Sequence, residues 1–241
     1  MNARRAAREL ALLTLFQIDK QGTGAPDQSA IRAVLQRESL QELMLSSVRA
    51  LSGEAEFQIQ TAADWLADVS RSLQTYEMEH PENLETPLDA LAKPVPIPTS
   101  REMVEKIEQC LQGAEYLFEA LRIPELVTLL RSEDVQAYAT KLIRLVAEQL
   151  PELDEGLNRH MEDWRMDRLV KMDAYILRVA AAEMAYVADV DLSVSINEAV
   201  DLAKQFAGEE SYRFINGVLG ALAEEYTEKT DKALSGTPPQ A

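Results

Sequence analysis

Apolar residues recur every three or four positions along most of the chain, the spacing of amphipathic helices rather than of strands. The first such stretch runs from Ala3 to Lys20 and stops before the turn-rich QGTGAPD at 21–27. A second helical region is predicted over 27–75, with a capping box at Ser39-Leu-Gln-Glu42 and a break near Gly53. Residues 76–100 hold five prolines and five acids against one lysine. That composition predicts an exposed linker, because proline cannot continue a helix and acidity opposes collapse. A capping box at Thr99-Ser-Arg-Glu102 then opens a helix through Cys110 towards Leu121. Pro124 and Pro151 stand where first helical turns would tolerate them. Further helices are predicted over 133–149, 152–163, 167–187, 196–206 and 210–227, with a disordered tail at 228–241. No strand-length alternation and no internal repeat interrupts this pattern, so the expected fold is all-α.

The region 195–226 carries the densest signals. Ser195 and Glu198 match a third capping box, which would start a helix at Ile196. Ile196, Ala199, Val200, Ala203 and Phe206 then share one face. Gly208 is placed as a left-handed cap, and Glu209 and Glu210 suit the positive end of the helix that follows. Phe214, Val218, Leu219 and Leu222 give that helix a core face, while Gly217 and Ala221 would let another backbone approach.

Charge changes the picture at the other end of the chain. The formal net charge is −17 over 241 residues, yet residues 1–20 hold four basic residues against two acids. An acidic body repels polyanions at long range, so any nucleic-acid site has to be local. Arg4, Arg5 and Arg8 occupy the first turns of the first helix, where unpaired N–H groups already carry partial positive charge. On a helical projection the three fall within one sector of about 100°, and Ala6, Leu10 and Leu13 face roughly the opposite way. The expectation is a compact basic patch on an exposed face, backed by a core face.

Other chemistry is sparse. His80 lies in the proline-rich linker, and His160 has acids nearby but no second histidine or cysteine at metal-ligand spacing. Cys110 sits on an apolar helical face as packing, and a single cysteine allows no internal disulfide. There is no phosphate-cradling glycine loop and no catalytic constellation, so no enzyme, cofactor or metal is expected. No apolar run reaches the ~18 residues of a membrane span, and the basic N-terminal stretch runs into an amphipathic helix without the small-residue cleavage site of a secretory signal. These features together predict a cytoplasmic protein.

The stretches RRAARELALLTLFQ (4–17), WRMDRLVKMDAYILRVAAAEM (164–184) and above all INEAVDLAKQFAGEESYRFINGVL (196–219) closely resemble the NusB family of bacterial transcription antitermination factors. A similar domain is fused to certain rRNA cytosine methyltransferases, but no methyltransferase domain is expected here. The resemblance covers roughly 1–20 and 133–227. It implies two small helical bundles, here with additional inserted helices. It also implies binding to the boxA element of rRNA leader RNA with the ribosomal protein NusE. Through the transcription elongation complex, that assembly would promote transcription of rRNA genes.

On this resemblance the expected organisation has three parts. An N-terminal helical region, 1–132, includes the RNA-binding first helix, the inserted helices and the acidic linker 76–100. A NusB-like bundle spans 133–227, and the tail is 228–241. Departures from the family pattern are Ala6 within the arginine cluster, Ala207 in place of a first glycine, Ala182 in place of a tyrosine, and the long segment 25–132. The expected RNA-binding residues are Arg4, Arg5 and Arg8 at phosphates, with Gln17, Tyr212, Arg213 and Asn216 as candidates for base readout. Arginine's planar fork suits phosphate and stacks on unpaired bases. A helical protein–protein adaptor with weak or no RNA binding is the alternative, and homodimerisation stays open.

Overall fold

The structure, a computed structural model, describes residues 2–21, 28–37, 39–79, 104–105, 107–108, 111, 124–161 and 164–234. Every regular element among them is a helix: α1 (Ala3–Gln21), α2 (Gln28–Arg37), α3 (Leu40–Glu79), α4 (Glu133–Asn158), α5 (Lys171–Tyr186), α6 (Leu192–Phe206) and α7 (Glu209–Leu234), with a 3-10 turn at Met166–Arg168. The all-α expectation therefore holds for the described residues. The Thr99–Glu102 box, the linker at 80–100, His80 and Cys110 lie outside them.

The chain divides into two compact units, one of Met1–Val48 with Leu126–Ala241 and one of Arg49–Glu125. In the first, α1 packs chiefly on α4 and also on α5, with α2 against both α1 and α4. α5 in turn meets α4, α6 and α7, and α6 lies along α7. Residues 6–15 of α1 are buried without interruption, because the ALLTL run makes the helix apolar nearly all round and neighbours cover every side. α5 is buried almost as completely, from Asp173 to Met184. In the second unit α3 continues to Glu79 and leaves Phe57 and Ile59 exposed.

Local signals succeed where both partners are neighbours in sequence. The Ser39–Glu42 box forms as expected: Glu42 N–H donates to Ser39 Oγ at 3.2 Å and Ser39 N–H to Glu42 Oε2 at 3.3 Å. Gly208 adopts φ +98°, and its N–H donates to Ala203 C=O at 3.1 Å, closing α6 without help from a second glycine at 207.

Several boundaries differ from the sequence reading. α3 runs to Glu79, into the linker expected at 76–100, and α7 runs to Leu234, into the tail expected to be disordered from 228, because the first proline or glycine to stop either helix comes only at Pro81 and Gly236. The helices expected at 133–149 and 152–163 are one helix, α4, with Pro151 inside it. Proline removes one backbone bond there, but Leu150, Leu153 and Leu157 are buried on the adjacent turns and hold the helix through. Gly53 does not break α3, since glycine merely lacks helix propensity and creates no steric barrier. The Ser195–Glu198 box does not form. α6 begins at Leu192 after Asp191, and the Ser195 hydroxyl donates across the core to Glu183 Oε2 at 2.6 Å. That long-range acceptor outcompetes the local cap.

Candidate nucleic-acid interface

The arginines of α1 are not a free patch. Arg4 pairs with Asp189 in the α5–α6 turn, and Arg5 donates to Asp201 Oδ2 of α6 at 2.8 Å. Arg8 Nε donates to both oxygens of Glu183 on α5, at 2.9 and 3.0 Å, and Arg8 also lies 3.7 Å from Glu198. The cations tolerated at the wrong end of a helix dipole are thus matched by acids from other helices. The expected exposed face is corrected at one position: Arg8 is 4% exposed, whereas Arg4 and Arg5 keep 42% and 33%. α5 and α6 cover the side of α1 that the helical projection left to solvent.

Glu183 is the centre of this arrangement. It is 1% exposed and takes donors from three other helices: Arg8 of α1, the Tyr138 hydroxyl of α4 and Ser195 of α6. A buried carboxylate is tolerable when several donors, one of them charged, satisfy it. Burial, then donation to Glu183, pushes the Tyr138 phenol above its ordinary range. The Tyr138 ring in turn supports Arg4, whose guanidinium carbon is 4.8 Å from the ring centroid. Ala3, Arg4, Asp134, Ala137, Tyr138 and Lys141 line a shallow depression between α1 and α4.

The strip continues along α6 to the start of α7. Asp201, which holds Arg5, also faces Lys204 at 3.9 Å, and Lys204 Nζ stands 5.3 Å from the Tyr212 ring centroid. Arg213 approaches the same ring at 5.9 Å and is exposed, as is Asn216. The fold therefore links Arg5 to Tyr212 and Arg213 through Asp201 and Lys204 of α6, while Asn216 lies one helical turn beyond Tyr212 on α7. Gln17 is not part of this strip. It lies about 20 Å along α1 from Arg4 and about 140° round the helix.

Sequence reasoning missed Glu183, Tyr138, Asp189, Asp201 and Lys204. Glu183 left a signal: it is an acid inside the apolar run VAAAEM, and such a charge needs a partner of opposite sign. The misplaced arginines were that partner. Among the described residues no cluster of His, Cys, Asp and Glu could hold a metal ion, and no helix is long and apolar enough to cross a membrane.

The model of the NusB family matches residues 100–224. The chain is 37% identical over 222 residues to the transcription antitermination protein NusB of Gloeothece citriformis, covering 92% of this chain and 93% of that one. It is 35% identical over 226 residues to the protein of the same name from Synechocystis sp., covering 93% and 92%. Matches of that length run through the segment 25–132, so these relatives share at least part of it. A solved structure titled T. maritima NusB is 31% identical over 42% of this chain and 75% of its own, with a TM-score of 0.38. The chain belongs to the NusB family.

Proposed function

We propose that this protein is a transcription antitermination factor that binds boxA-type single-stranded RNA of rRNA leaders together with the ribosomal protein NusE, within the transcription elongation complex. The observation that carries the reading is the match to relatives named for antitermination over nine-tenths of both chains. The disposition of charge supports it: Arg4 and Arg5 remain partly exposed on α1, and Arg5 is joined through Asp201 and Lys204 to Tyr212 and Arg213. Arg4 and Arg5 serve as phosphate contacts, and Tyr212, Arg213 and Asn216 offer a stacking ring and polar tips to unpaired bases. Arg8 is committed to Glu183 and makes no phosphate contact. Gln17 lies too far away to share a nucleotide with the arginines.

Fluorescence anisotropy with boxA-type and scrambled RNA, with and without NusE and across a salt series, tests the reading. Two phosphate contacts predict a log–log salt slope near −1.4, since single strands release about 0.7 counterion per contact. Arg4→Ala with Arg5→Ala should abolish most of that slope. Absence of any preference for boxA-type RNA, even with NusE, would leave the adaptor reading, which the acid partners of all three arginines favour.

A further inference from the structure

Resting on the RNA-binding reading, we propose that Glu183 and Tyr138 form a positioning device that presents Arg4 to RNA, although neither residue touches the nucleic acid. An exposed arginine on the first turn of a helix has many rotamers to give up before it can hold a phosphate. Here the guanidinium of Arg4 already rests over the Tyr138 ring, at 4.8 Å from its centroid. The ring is fixed in turn by the Tyr138 hydroxyl, which donates to Glu183. Glu183 cannot shift, because it is 1% exposed and also receives Arg8 and Ser195. Three helices are thereby tied to the one side chain that places Arg4 at the mouth of the α1–α4 depression, beside Lys141.

The same construction explains the division of labour among the arginines. Arg8 is spent inside, neutralising Glu183, so that Glu183 can serve as an acceptor for Tyr138 without standing as an unpaired buried charge. Arg4 is left with a surface partner, Asp189, that a phosphate can displace. Glu183 thus acts on RNA at second hand, through a ring and a cation.

The test is a double-mutant cycle on RNA affinity in the full-length chain, using boxA-type single-stranded RNA as probe and NusE at saturation. Arg4→Ala is measured in the wild-type, Tyr138→Phe and Glu183→Gln backgrounds. Tyr138→Phe keeps the ring but removes its tether. Glu183→Gln leaves one carbonyl oxygen for three donors, and its general effect on net charge cancels within the cycle. In the wild type, Arg4→Ala should weaken binding several-fold and reduce the salt slope by about 0.7. In either variant background the same change should produce less than half that loss and little change in slope.

A purely structural role for Glu183 and Tyr138 would lower unfolding midpoints yet leave the effect of Arg4→Ala undiminished, which would overturn the proposal. So would a wild-type protein that binds boxA-type RNA with no dependence on Arg4. Failure of the wild type to bind the RNA at all would instead remove the functional reading beneath it. Should Glu183→Gln fail to fold, Tyr138→Phe alone decides, because it removes only a part-buried hydroxyl and its bond to Glu183.

Discussion

Two glutamates in this protein gather several donors each, and they differ in almost every consequence. Glu183 is enclosed by α1, α4 and α6 and joins side chains as far as 175 positions apart in sequence. Glu225 sits near the other end of the bundle on α7, with 21% of its side chain exposed, and gathers Arg159, His160 and Lys229. The inventory of partners looks alike. The surroundings do not. At Glu183 no water can replace a lost partner, so each bond is obligatory; at Glu225 water can substitute at once. The number of ion pairs therefore says little until burial is known.

The largest effect is expected at Arg8. Arg8→Ala strands the Glu183 carboxylate in the core and should cost about 3–5 kcal/mol of folding stability, read from urea or thermal unfolding. A loss below about 1 kcal/mol would mean that Glu183 finds water or takes a proton, and the contrast would fail.

Glu225→Gln should cost only about 1 kcal/mol, because the group is partly solvated. Its pH dependence sharpens the point. The Lys229 bond first, then those from His160 and Arg159, hold the Glu225 carboxyl down at about 2, against an ordinary value of 4.5. A depressed carboxylate contributes stability that is fully present above its unfolded value and lost as pH falls through its folded one. The wild-type advantage over Glu225→Gln should therefore be constant near neutrality and shrink between about pH 4.5 and 2. An advantage that persisted below that window would show that the shift does not come from these partners.

The smallest effects belong to the exposed acids that face the arginine strip. Asp189→Asn and Asp201→Asn remove competitors for phosphate at Arg4 and Arg5 and should each tighten RNA binding about two- to threefold. Unfolding midpoints should hardly move. If neither change alters affinity, the two arginines are not the phosphate contacts.

Much of the fold was legible because helices are written in local terms. The 3.6-residue spacing located α1, α5, α6 and the start of α7 to within a few residues, though not the end of α7, and the Ser39 box and Gly208 cap involve partners close in sequence. The same locality misled at Pro151, Gly53 and Ser195, where packing or a distant acceptor outweighed the nearby preference. The candidate site was half legible. Three cations at a helix N-terminus announced that something unusual had to meet them, and the projection placed them together.

What met them was decided only by the tertiary structure. The sequence by itself determined an all-helical chain, an apolar α1 with a basic start, and the C-terminal motif that ties it to its family. Assembly of α1, α4, α5 and α6 determined that Arg8 turns inward and that Tyr138 lies beneath Arg4. Helical periodicity fixes the direction in which a side chain leaves its helix. Whether that direction leads to water or to a buried carboxylate depends on which helix packs there, and that is set by contacts between residues far apart along the chain.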